Sequence, residues 1–85
     1  MKLHISPRAK KQLKKLSKVE QVVVARKIRS LKESQSGSKL SGYTSIYRIR
    51  VGKIRVVYRQ TKQEIYIILI HHRKDVYRLL KQILK

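Results

Sequence analysis

From Tyr47 to Val51, and again from Ile54 to Val56, apolar residues alternate with arginines, and Gly52-Lys53 separates the two runs. Alternation of this kind marks strands with one face buried. A glycine at the first central position suits a two-residue type II′ turn, whose twist matches that of the flanking strands. The segment reads as a β-hairpin in which Val51 pairs with Ile54, Arg50 with Arg55, Ile49 with Val56 and Arg48 with Val57. One face then carries Ile49, Val51, Ile54 and Val56, and the other carries Arg48, Arg50, Arg55 and Arg59. Elsewhere the period changes. Ala9, Leu13 and Leu16 recur at helical spacing after Ser6-Pro7, a helix cap followed by a proline at the first helical position. Ser17-Lys18-Val19-Glu20 is a capping box that opens a second helix with apolar positions at Val24, Ile28 and Leu31. Residues 34–38 form a polar loop. Residues 64–71 are almost continuously apolar and β-branched, as in a strand covered on both faces. A last helix follows, with Asp75 as its N-cap and Val76, Leu79, Leu80, Ile83 and Leu84 on its faces.

With a short strand at Leu3–Ile5, the order is β-α-α-β-β-β-α. The expected fold is α+β: a small antiparallel sheet, an N-terminal helical hairpin on one face, and a C-terminal helix at the edge or on the other face. Neither a repeat nor a linker interrupts residues 1–85, which read as a single domain.

Charge narrows the function. The 85 residues include 23 Lys and Arg against 4 Asp and Glu, a formal net charge of +19. Such an excess attracts polyanions strongly and in a salt-dependent way. Arg50 and Arg55 stand opposite each other, and like charges across a strand pair are destabilising. An anion that they share, with nucleic-acid phosphate the leading candidate, would relieve that cost. No apolar run approaches the roughly 20 residues that span a bilayer, so the expectation is a cytoplasmic protein without a membrane partner. There is no cysteine, and His, Asp and Glu do not cluster at metal-ligand spacing, so neither a metal nor a cofactor is expected.

Leu40-x-Gly42, then Tyr47-Arg48-Ile49-Arg50-Val51-Gly52-x-x-Arg55-Val56-Val57-Tyr58, then His72-Arg73-x-x-Val76-Tyr77 together resemble the RelE/ParE toxin superfamily over nearly the whole chain. The resemblance implies the toxin of a type II toxin–antitoxin pair, held by an acidic antitoxin. In the RelE branch such toxins cut mRNA in the ribosomal A site; in the ParE branch they inhibit DNA gyrase and are not nucleases. Carried over from the RelE pattern, Arg48 and Arg50 match the first basic pair and Arg55 the phosphate-stabilising arginine. Arg73 matches the arginine after the last strand, and Tyr77 the C-terminal tyrosine that stacks on or orients the target nucleotide. The resemblance therefore implies a metal-independent endoribonuclease acting on ribosome-bound mRNA, with a DNA gyrase inhibitor or other basic nucleic-acid-binding module as the alternative.

One departure bears on the chemistry. The RelE pattern has lysines where this chain has Arg48 and Arg50, and arginine almost never deprotonates. These two residues suit a phosphate clamp rather than a general base. His71 and His72 are the candidate acid or base groups, because imidazole titrates near neutral pH. Unbroken alternation puts His72 on the face of Tyr66, Ile68 and Ile70, and His71 on that of Ile65, Ile67 and Leu69. Arg59, Lys53, Lys10, Lys11 and Lys14 are candidate RNA-binding residues through phosphate attraction. Tyr47, Tyr58 and Tyr66 read as sheet aromatics rather than base-stacking platforms.

Overall fold

The computed structural model describes residues 2–34, 37–72 and 75–84, with Asp75 as backbone only. Its elements are β1 (Lys2–Ile5), α1 (Pro7–Lys14), α2 (Lys18–Ser30), β2 (Ser38–Lys39), β3 (Ile46–Val51), β4 (Ile54–Gln60), β5 (Glu64–His71) and α3 (Asp75–Ile83). The strands form one sheet in the order β1-β5-β4-β3-β2. β2 to β5 meander antiparallel, and the β3–β4 register is the one the alternation predicts, from Val51 opposite Ile54 to Arg48 opposite Val57. Gly52 takes a φ of 62°, as the first central residue of a II′ turn requires.

Two features depart from the expected sheet. β1 pairs with β5 in parallel, which makes the sheet mixed. The chain crosses one face on α1 and α2 and meanders back, so β5 returns beside β1 in the same direction; alternation within β1 carries no record of that partner. β2 adds a two-residue strand that starts at Ser38, the last residue of the predicted loop. At the other end, Asp75 is the first residue of α3 rather than its N-cap.

Each face buries its own core. α1 and α2 bring Ala9, Leu16, Val24, Ile28 and Leu31 onto Ile49, Ile54, Val56, Tyr58, Ile65, Ile67 and Ile70. α3 brings Val76 and Leu80 onto Ile46, Val57, Ile68 and Leu69. The C-terminal helix thus takes the opposite face, and β5, covered on both sides, is as apolar as predicted. Tyr58 is wholly buried and stacks on Tyr47 with centroids 5.7 Å apart. Burial raises the pKa of its phenol. A Cβ on Gly37 would collide with the Tyr58 hydroxyl, so this loop position accepts only glycine without rearrangement.

β5 contains a bulge. Val57 faces Leu69 while Tyr58 faces Ile67, which leaves Ile68 as the extra residue. The phase of alternation changes there: Ile65, Ile67 and Ile70 share the helical-hairpin core, whereas Tyr66, Ile68 and Leu69 face α3. The expectation of Ile68 with Ile70, and of Leu69 with Ile67, is corrected by this one inserted residue. β1 stops pairing at Ile67, and polar side chains from the α1 segment take over the β5 edge. Ser6 donates its backbone N–H to the Ile67 carbonyl at 2.9 Å and its hydroxyl to the Ile68 carbonyl at 2.9 Å. Gln12 Oε1 accepts the Ile70 amide at 2.8 Å. The Ser6 hydroxyl also caps α1 by accepting from the Ala9 amide at 3.0 Å.

Ser6→Ala removes the cap and leaves the Ile68 carbonyl without its partner beside the bulge. The expected loss is about 2–3 kcal/mol, from a cap worth roughly 1 kcal/mol and a buried polar group worth about 1–2 kcal/mol. Urea unfolding of the variant should show a lower midpoint at unchanged slope. An unmoved midpoint would show that the hydroxyl holds neither element.

Candidate functional site

The predicted arginine face exists, and its geometry follows from the hairpin. Arg50 and Arg55 are cross-strand partners, with Arg48 two residues back along β3. Among the described residues β2 pairs β3 only at Arg48 and Tyr47. α2 passes over β3 and brings Lys27 to the hairpin, while α3 brings Tyr77 from the other face. The result is a cleft of about 550 Å³ lined by Lys27, Ser38, Arg48, Ile49, Arg50, Arg55 and Tyr77. Among the described residues its ionisable lining is four cations and a phenol.

Arg48 fixes Tyr77. Its Nη1 donates to the Tyr77 hydroxyl at 3.3 Å, and its guanidinium carbon lies 5.6 Å from the ring centroid, within cation–π range. Of the residues singled out from sequence, Arg48, Arg50, Arg55 and Tyr77 therefore converge. Arg59 shares their face but stacks over Tyr66 at 5.6 Å, outside the cleft. Lys53 is exposed in the turn. Lys10, Lys11 and Lys14 are exposed on α1, which covers the opposite face of the sheet, and they do not reach the cleft. Lys11 lines a separate hollow with Arg8, Tyr66 and Ile83. Arg73 lies outside the described residues.

The bulge separates the two histidines. His71 is the register partner of Arg55, on the arginine face. His72 turns to α2, where its Nε2 lies 3.3 Å from Glu20 Oε2. The expected placing of His72 with Tyr66 and Ile68 is thus reversed. The Ser17 backbone amide, and after it His72, hold the Glu20 carboxyl below its usual range. That carboxylate completes the α2 capping box, so His72 serves a structural tie.

Lys27 and Ser38 were not singled out from sequence. Lys27 borders the buried Val24–Ile28 stripe of α2, but several lysines border helix stripes here, and periodicity does not say which one meets a sheet edge. Among the described residues no group of three or more His, Cys, Asp or Glu could hold a metal ion, and no helix is long and apolar enough to cross a membrane.

Residues 3–77 match the model of the family described as the ParE toxin of the type II toxin–antitoxin system parDE. The structure superposes on a double mutant of the E. coli toxin RelE in the free state with a TM-score of 0.80 at 24% identity, covering 96% of each chain. It superposes on a chain of the intact E. coli RelBE toxin–antitoxin complex with a TM-score of 0.76 at 23% identity, over 86% of this chain and 96% of that one. For a chain of the RelB–RelE antitoxin–toxin complex from Methanococcus jannaschii the TM-score is 0.72 at 25% identity, over 86% and 93%. No curated protein matches the chain. At these identities the structural likeness is one of fold.

Arg50→Ala separates the cost of the arginine face from its use. Removing one of two opposed cations should stabilise the fold by about 0.2–1 kcal/mol. It should also weaken binding to a single-stranded oligonucleotide and flatten the slope of log K against log salt by about 0.7. Calorimetric melting and fluorescence anisotropy read the two effects. Unchanged binding and salt slope would show that Arg50 meets no phosphate.

Proposed function

Because the chain belongs to the ParE toxin family of type II toxin–antitoxin systems, and is thus the toxin of such a pair, we propose that it stops translation by cutting mRNA on the ribosome. The observation that carries this reading is the cleft, where Lys27, Arg48, Arg50 and Arg55 surround a tyrosine and, among the described residues, no carboxylate lines the wall. In the proposed reaction the 2′-hydroxyl of the target nucleotide attacks the adjacent phosphorus and the 5′-oxygen leaves, giving a 2′,3′-cyclic phosphate. The transition state gathers negative charge on the phosphoryl oxygens, and preorganised cations aimed at that charge lower the barrier. Arg55 and Arg50 supply them at the strand pair. Arg48 holds the Tyr77 ring at the cleft wall, where it offers a stacking surface for an unpaired base. No step in this scheme calls for a metal.

The partner proposed is an acidic antitoxin covering the Arg48–Arg50–Arg55–Tyr77 surface. A +19 chain repels itself, and an acidic segment that folds on binding can neutralise a large area. Several structures of similar fold are toxin–antitoxin complexes. The same cytoplasmic setting serves a second reading, a non-enzymatic gyrase inhibitor, which the match to the ParE family model favours.

Induced expression of the wild type and of Arg55→Ala decides between them. Protein synthesis should fall before DNA synthesis, with mRNA cut inside reading frames. Arg55→Ala should slow cutting by on the order of 10²–10³, the effect of losing one transition-state donor, while keeping its fold. DNA synthesis falling first, with mRNA intact, would favour the gyrase reading.

A further inference from the structure

The proposed cleavage releases a 5′-oxygen that departs as an alkoxide unless it receives a proton. The arginines of the cleft are unsuited to give one, because a guanidinium does not deprotonate in proteins. The 3 histidines of the chain lie elsewhere. His4 sits on β1 with its Nε2 3.7 Å from Glu64, and His71 and His72 line a separate hollow with Lys15 beside α1. Among the described residues, the cleft lining includes one lysine, Lys27. A lysine ammonium carries three protons on a compact head at the end of a flexible four-carbon stem. The base of that stem is fixed by α2. Val24 and Ile28, on the turns beside Lys27, are buried in the core, and the Ser30 hydroxyl donates to the Lys27 carbonyl at 2.7 Å. Lys27 itself is half-buried, so its head works at the border of protein and substrate.

We propose that Lys27 is the general acid of the arginine cleft, the group that protonates the departing 5′-oxygen. The inference rests on the endoribonuclease reading and deepens it. α2 and α3 cover opposite faces of the sheet, so Lys27 and Tyr77 enter the cleft from different sides. In-line displacement sets the attacking and leaving oxygens on opposite sides of phosphorus. With the base of the attacking nucleotide stacked on Tyr77, the 2′-oxygen approaches from the α3 side and the 5′-oxygen departs toward α2, where Lys27 stands. In the step, the bond from the 2′-oxygen to phosphorus forms and the 2′-hydroxyl proton passes to water. The bond from phosphorus to the 5′-oxygen breaks, its electron pair stays on that oxygen, and the Lys27 ammonium supplies the proton that makes it a hydroxyl. The neutral amine takes a proton back from solvent. Arg50 and Arg55 hold the remaining phosphoryl oxygens. The Tyr77 hydroxyl, the other acidic proton of the lining, belongs to the side of the nucleophile and accepts from Arg48 Nη1 at 3.3 Å.

The test is the single-turnover rate of mRNA cutting on programmed ribosomes with the full-length chain, using two messages. One has the ordinary phosphodiester at the cut site; the other has sulfur in place of the bridging 5′-oxygen, and a thiolate leaves without needing a proton. Lys27→Met should cut the ordinary message slower by about 10²–10⁴ and the sulfur message at close to the wild-type rate. Lys27→Arg keeps the charge but holds its protons, so it should show the same selective defect. Both variants should melt near the wild-type temperature, and Lys27→Arg should bind a message with a 2′-deoxy nucleotide at the cut site as tightly as the wild type. Arg55→Ala, which removes charge stabilisation instead, should be slow on both messages. Equal slowing of Lys27→Met on the two messages would make Lys27 a phosphate contact and overturn the assignment. So would a wild-type rate in Lys27→Met or Lys27→Arg, or a sulfur rescue seen in Tyr77→Phe instead. If the wild type leaves both messages intact, the endoribonuclease reading falls and this assignment falls with it; cutting that is indifferent to Lys27 removes the assignment alone.

Discussion

β5 holds one residue more than the strand beside it, and the place of that residue governs both faces of the sheet. Before Ile68 the strand sends Ile65 and Ile67 to the helical hairpin; after it, Ile70 goes there and His71 goes to the arginines. Without the bulge the apolar set beyond Ile67 would change faces. Ile70 would leave the α1–α2 core, and His71 would leave Arg55. The bulge is held from the side by the α1 segment. The Ser6 hydroxyl bonds the Ile68 carbonyl and caps α1 at once, and Gln12 accepts the Ile70 amide. One helix start therefore secures the helix, the edge of the sheet and the phase of its most buried strand.

The sheet divides its work by face. Behind β3 and β4, Ile49, Ile54, Val56 and Tyr58 pack into the core under α1 and α2, and the stacked Tyr47–Tyr58 pair adds about 0.5–1.5 kcal/mol. In front, Arg50 opposes Arg55 at a cost of a few tenths of a kcal/mol to about 1 kcal/mol. The apolar face outweighs that cost and holds cations in place before any anion arrives. Preorganisation of this kind is what makes charge stabilisation effective in a transition state. Among the described residues β2 covers two residues of β3, and the cationic end of the hairpin lines a cleft with Lys27 from α2 and Tyr77 from α3.

The sequence by itself determined the local elements and their faces, since these depend on near neighbours. Proline after Ser6, the capping box from Ser17 to Glu20, glycine in the hairpin turn and the alternation through Arg48 and Arg50 each act within a few residues. Period and turn chemistry suffice to place them. The hairpin register followed from the turn, so Arg48, Arg50 and Arg55 were legible as one face. Tyr77 was legible through the family resemblance rather than through its helix. What only the tertiary structure decided were contacts between segments far apart in the chain. The parallel pairing of β1 with β5, the meeting of Arg48 with Tyr77 and the arrival of Lys27 from α2 leave no local pattern. The bulge is the sharpest case. Residues 65–70 are apolar throughout, so the strand carries no alternation in which a change of phase could be read. The partners that fix the phase, Ser6 and Gln12, stand 62 and 58 residues away from their backbone partners on β5. His71 and His72 were equivalent neighbours in the sequence; long-range hydrogen bonds made one the partner of Arg55 and the other a tie to a helix cap.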